Sequence, residues 1–158
     1  MHVLMVCTGN MCRSPLAEAI LRAELEQLGV RDVTVSSAGT GAWEGRAASD
    51  GALLVGLEND LDISSHRSRY LSRDLVEQAD VIFTMSRSHT ERVKKLGGDG
   101  RVHLLGEYAG FKRSKAEVAD PYGMALDVYR QTFVRLRDLL RKAALRLVRE
   151  RDDENLGD

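Results

Sequence analysis

An unbroken apolar run of strand length, Val3-Leu4-Met5-Val6, leads directly into Cys7-Thr8-Gly9-Asn10-Met11-Cys12-Arg13-Ser14 and then Pro15. A strand that does not alternate apolar with polar residues is buried on both faces, as in a parallel sheet covered by helices on each side. Ser14-Pro15 predicts a helix start, with serine at the N-cap and proline at the first helical position, where a missing N–H costs nothing. Ala17, Ile20, Leu21, Leu25 and Leu28 follow at helical spacing, and Gly29 closes the helix as its C′ glycine. The alternation then continues down the chain. Strands are expected at residues 33–35, 81–85 and 102–105, and helices at 49–58, 72–78 and 87–96. Residues 106–123 read as a long irregular segment. Leu126, Tyr129, Phe133, Leu136, Leu140, Ala143 and Leu147 mark one closing helix over 124–149. The pattern predicts an α/β fold with one four-stranded parallel sheet and helices on both faces.

At 158 residues the chain is one domain by length, expected over 1–150 with a charged, frayed tail at 151–158. Charge is balanced, 23 basic against 24 acidic residues, so nothing global points to nucleic acid or an anionic membrane as partner. No apolar run approaches the ~20 residues of a membrane span, and the N-terminus lacks the basic head and cleavage site of a secretory signal. Cys7 and Cys12, five apart in one loop, make a poor staple and suit a reducing, cytoplasmic setting. His2, His66, His89 and His103 are scattered without ligand-like spacing, so neither metal nor other cofactor is expected.

The loop after the first strand is built as an anion cradle. Open α/β sheets bind ligands outside the carboxyl ends of their strands, and this loop sits at that edge. It feeds a helix N-terminus, whose free N–H groups and dipole favour an oxyanion. Gly9 and Asn10 are the residue types that most readily take left-handed angles, letting the loop turn its amides inward. Arg13 can hold two phosphate oxygens in its planar fork. A cysteine at the rim is then suited to attack as a thiolate, because dipole, amides and arginine all favour negative charge there. Taken singly, Cys7 reads more often as a small buried hydrophobe than as a nucleophile, and the loop also as a simple phosphate binder. The remaining proline, Pro121, holds Asp120 out of the helical region and gives it a fixed direction suited to a general acid. Alone, Asp120-Pro121 is also an ordinary helix-entry turn.

The Cys7–Pro15 segment and Asp120-Pro121-Tyr122 resemble the low-molecular-weight protein tyrosine phosphatases. Ser37-Ala38-Gly39-Thr40, Trp43 and His66-Arg67-Ser68-Arg69 extend the likeness over nearly the whole chain. The resemblance implies a phosphatase of phosphorylated proteins, monomeric or weakly dimeric, that forms a phosphocysteine. Cys7 would be its nucleophile, Arg13 its phosphate clamp and Asp120 its proton donor. Thr8, Gly9, Asn10, Met11, Cys12 and Ser14 would bind phosphate, with Ser14 hydrogen-bonded to the Cys7 sulfur. Ser37 and His66 would hold Asn10 in its strained conformation; without the family, His66 reads as a surface histidine. Trp43, Tyr122 and Met11 would wall the cleft. Asp120–Gly123 and Asp127–Thr132 also resemble the protein-arginine phosphatases of the same family. Members of that branch usually carry threonine after the loop asparagine, whereas Met11 is bulky and apolar like the isoleucine of tyrosine-specific members. Phosphotyrosine is therefore the expected substrate and phosphoarginine the alternative. Thioredoxin-coupled arsenate reductases need two further cysteines that this chain lacks, and a non-catalytic binder has no use for Asp120.

Overall fold

The computed structural model describes residues 1–157. Four strands, β1 (His2–Cys7), β2 (Thr34–Gly39), β3 (Val81–Thr84) and β4 (Val102–Leu104), form one parallel sheet in the order β2-β1-β3-β4. Side chains on the apolar β1 run alternate between two cores, as the period of two requires. Val3, Met5 and Cys7 join the larger core, and Leu4 and Val6 the smaller one. The larger core is completed by α1 (Arg13–Gln27), α2 (Asp50–Glu58) and a long closing helix. The smaller one is capped by Val76 of α3 (Arg73–Gln78) and Val93 of α4 (Arg87–Val93). Both faces of the sheet are therefore covered, as the sequence pattern predicts.

Local signals end the elements where expected. Gly29 has φ 73°, and the Gly29 and Val30 N–H groups donate to the Glu26 and Leu25 carbonyls at 3.0 and 2.9 Å, a Schellman closure of α1. The Ser72 hydroxyl accepts from the Leu75 N–H at 3.2 Å and caps α3. Gly97, at φ 97°, stops the π-helical turn Lys94–Gly98 that continues α4.

Three expectations are corrected. Ser14 is not an N-cap: α1 begins at Arg13 after Cys12, and the Ser14 hydroxyl is used elsewhere. Pro15 still falls among the first helical residues, whose N–H groups have no partner inside the helix. The 106–123 segment is not wholly irregular, holding α5 (Leu105–Tyr108) and a 3-10 turn (Arg113–Ala116). The closing helix, α6 (Leu126–Leu156), runs 31 residues, past the expected end at 149. Polar pairs hold its last turns: Glu150 accepts from the Tyr108 hydroxyl at 2.8 Å and Arg146 at 2.7 Å, and Arg151 reaches Asp32 at 2.5 Å. Leu136, Leu139 and Leu140 of α6 are fully buried, each contributing roughly 1.5–3 kcal/mol by leaving water. No helix among the described residues is long and apolar enough to cross a membrane.

β1 is followed in sequence by β2 on one side and is flanked by β3 on the other. The crevice at its carboxyl end is thus the topological switch point at which such sheets bind ligands. Cys7 is the last residue of β1.

Candidate active site

The loop 8–12 is bound to the scaffold from several sides. The Cys7 and Thr8 carbonyls accept from the Thr40 and Gly41 N–H groups at 2.9 and 3.0 Å, and the Met11 carbonyl from the Ser49 N–H at 2.9 Å. Gly39 lies so close that a Cβ there would sit 2.3 Å from the Thr8 carbonyl oxygen. Behind the loop, Cys12 Sγ, Ser49 Oγ and Tyr129 OH form a triangle with sides of 3.1, 3.4 and 3.1 Å, linking loop, α2 and α6. Burial pushes the Cys12 thiol up and Tyr129 up to about 12, so both stay protonated at neutral pH.

Asn10 alone in the loop takes left-handed angles, with φ 55°, and it is fully buried. Gly9, expected to share that conformation, does not; a Cβ on it would meet nothing within 4 Å, so its bareness leaves the cleft open. The Arg69 backbone N–H donates to Asn10 Oδ1 at 2.9 Å, which leaves the Asn10 amide nitrogen as donor to Ser14 Oγ at 2.7 Å. The single Ser14 proton is then free for the Cys7 sulfur, 2.9 Å away. The Asn10 N–H donates to the same sulfur at 3.3 Å. His66 Nε2 donates to the Asn10 carbonyl at 2.7 Å, as the resemblance implies. Ser37 does not hold Asn10: its buried hydroxyl has no hydrogen-bond partner among the described residues, and its carbonyl accepts from Arg69 Nε at 3.1 Å. The Arg69 backbone does the work assigned to Ser37.

Arg13 is 5% exposed, with Nη1 donating to the Val118 carbonyl at 3.0 Å. Val118 in turn donates its N–H to the Met85 carbonyl just after β3, at 2.8 Å, so the loop bearing Asp120 is fastened to the sheet edge. Arg13 Nη2 lies 3.6 Å from Asp120 Oδ2. Arg13 Nε is buried without an acceptor among the described residues, a donor suited to an incoming oxyanion. Asp120 Oδ1 accepts from the Tyr122 N–H at 3.1 Å across Pro121, which aims the carboxyl over the loop.

Cys7, Thr8, Gly9, Met11, Cys12, Arg13, Asp120 and Tyr122 together line a cavity of about 170 Å³. Trp43 is not on this lining and is 76% exposed, so the wall expected of it is formed by Met11 and Tyr122. Wider hollows of about 480 and 700 Å³ lie elsewhere, by β4 and along α6. Arg87, Lys94, Arg146, Arg130 and Arg141 in them are already paired with carboxylates, so size does not mark the reactive site. The sequence reading missed Arg69, Val118, Ser49, Tyr129 and His89. His89 is 3% exposed, with Nε2 2.8 Å from Thr8 Oγ1, and carried no pattern in sequence beyond lying just after a buried strand.

Compared with protein families, residues 2–153 match the one described as "Low molecular weight phosphotyrosine protein phosphatase". Low molecular weight protein-tyrosine-phosphatase PtpB of Staphylococcus haemolyticus is 36% identical over 143 residues, 90% of this chain and 96% of that protein. The protein-arginine-phosphatase of Bacillus subtilis is 36% identical over 153 residues, 96% of this chain and 99% of that protein. A solved structure of YwlE arginine phosphatase, a mutant with a phosphorylated active-site serine, superposes with a TM-score of 0.89 at 34% identity, covering 96% of this chain and 99% of its own.

Proposed function

The chain belongs to the low molecular weight phosphotyrosine protein phosphatase family, and from that premise we propose a two-step hydrolysis carried by Cys7, Arg13 and Asp120. It is a phosphoric monoester hydrolase of the protein-tyrosine-phosphatase type. In the first step the Cys7 thiolate attacks phosphorus. An S–P bond forms, the bond from phosphorus to the tyrosyl oxygen breaks, and Asp120 gives its proton to the departing oxygen. In the second step water attacks the phosphocysteine, Asp120 takes its proton, and the S–P bond breaks to release phosphate and thiolate. Arg13 and the loop amides hold the equatorial oxygens throughout, and their grip is worth most where negative charge is fixed by the loop in the transition state. Ser14 and the Asn10 N–H stabilise the sulfur as it leaves.

One observation carries this reading. The Cys7 sulfur receives hydrogen bonds from Ser14 and Asn10 in a cavity whose lining also includes Arg13 and Asp120. The YwlE mutant named for a phosphorylated active-site serine supports phosphate transfer to the enzyme in this family. All these residues come from one chain, so a monomer suffices and a weak homodimer is compatible. A working thiol suits a reducing, cytoplasmic setting.

Phosphotyrosine in proteins is the substrate favoured by Met11, an apolar side chain on the cavity lining. A phenyl ring packed on it gains about 1 kcal/mol, about fivefold in selectivity, whereas a phosphoguanidinium loses water there without replacement. Phosphoarginine is the second reading, favoured by the end-to-end likeness to an arginine phosphatase. Paired assays on phosphotyrosine and phosphoarginine peptides decide between them. The expected outcome is a higher kcat/KM on phosphotyrosine and a shift toward phosphoarginine in Met11→Thr. A parent that strongly prefers phosphoarginine would reverse the choice.

A further inference from the structure

Beside the chain that ends on the Cys7 sulfur, a second hydrogen-bond chain ends on Arg13. A guanidinium only donates, so at the 3.5 Å contact between Arg13 Nη2 and Thr8 Oγ1 the threonine oxygen accepts. Its one proton is left for His89 Nε2, 2.8 Å away. With Nε2 accepting, the imidazole proton sits on Nδ1 and goes to Ser86 Oγ at 2.9 Å. Ser86 Oγ is in turn 2.9 Å from Ser88 Oγ. A neutral imidazole thus lets each donor along the chain, from Arg13 Nη2 through Thr8 and His89 to Ser86, find an acceptor. A charged one would aim a second N–H at the oxygen that Arg13 already uses.

Resting on the reading of Arg13 as the oxyanion clamp, we propose that His89 is a positioning residue. As a neutral acceptor it orients the Thr8 hydroxyl, which braces the Arg13 guanidinium in the plane that grips phosphate. The surroundings keep the ring neutral. Burial and the nearby Arg13 push its pKa down to about 4, opposed by Asp120 and Glu117 from the loop before α6. The chain joins the β3–α4 connection to the β1–α1 loop, which lines the cavity.

The test measures affinity for inorganic vanadate together with kcat and KM in His89→Leu, His89→Gln, Thr8→Val and the Leu–Val double variant. The expected result for His89→Leu is a loss of about tenfold or more in vanadate affinity and in kcat, with a smaller change in KM. His89→Gln, whose side-chain oxygen can accept from Thr8 without ionising, restores most of it. Thr8→Val reproduces the loss, and the double variant is no worse than either single one. A His89→Leu protein that is folded and within about twofold of the parent overturns the proposal, as do equal losses in Leu and Gln or losses that multiply. Should His89→Leu not fold, Thr8→Val, which changes an exposed loop side chain, decides in the same way. The vanadate arm is read without turnover. A parent that binds vanadate but hydrolyses neither phosphopeptide therefore counts against the phosphatase reading, while the variants still test His89.

Discussion

At the scale of single residues, reactivity depends on which atoms can donate and which can only accept. The Arg69 N–H fixes the Asn10 amide, Asn10 fixes Ser14, and Ser14 is left with one proton for sulfur. Cys7→Ser should therefore abolish hydrolysis while vanadate still binds, because the surrounding donors remain. Substantial turnover in that variant would place the nucleophile elsewhere. Arg13→Lys should fall about 10²-fold or more in kcat, since a point charge cannot reproduce Nε and Nη gripping two oxygens. A loss confined to KM would mean that Arg13 only binds the ground state.

At the scale of elements, the site is a strand end, a five-residue loop and a helix start held in register by neighbours. Gly39 shows how closely: a Cβ there would lie 2.3 Å from the Thr8 carbonyl and 2.9 Å from the Asn10 N–H, both backbone atoms that must move. Gly39→Val should cost about 1–3 kcal/mol of stability and lower kcat/KM, whereas Gly9→Ala, with nothing within 4 Å, should leave Tm unchanged. Thermal melts of the two variants check this; equal melting temperatures would mean that the loop is not packed on β2. Cys7, Arg13 and Asp120 were legible in sequence because local signals mark them: a buried strand, a glycine-bearing loop, a proline on each side. The four strands were legible for the same reason. The hold of the Arg69 backbone on Asn10 was not, because the two meet only through folding and a backbone N–H leaves no trace in residue identity; the contact from His66 was expected from the family resemblance alone. The misplacement of Trp43 has a related cause, since an aromatic in a loop does not reveal which way the loop turns. The extension of α6 past 149 depended on Asp32 and Tyr108, both far away in sequence.

At the scale of the molecule, burial of histidines makes stability depend on pH. The pKa of His89 is pushed down to about 4, and those of His2 and His103 are also lowered, with burial the largest cause in each. Below the unfolded value of 6.5 the unfolded chain binds protons that the folded one refuses. Their contribution is therefore complete above pH 6.5 and is lost as pH falls below it, for His89 down to about 4. His89 alone contributes on the order of 2–3 kcal/mol of this slope. Urea unfolding at intervals across that range should show stability falling with pH, and less steeply in His89→Gln. A slope unchanged by that substitution would mean that His89 is not held neutral in the fold.

The whole reaction cycle rests on a phosphate carried for a time by Cys7. In Asp120→Asn with p-nitrophenyl phosphate, the nitrophenolate departs without a proton, so the first step stays fast. The second step lacks its base, and the intermediate accumulates. Quenching in denaturant at neutral pH, followed by peptide mass spectrometry, should find one phosphate on the peptide containing Cys7, bound to its sulfur. Steady turnover by that variant with no phosphate on Cys7, or with phosphate on any other residue, would contradict the account.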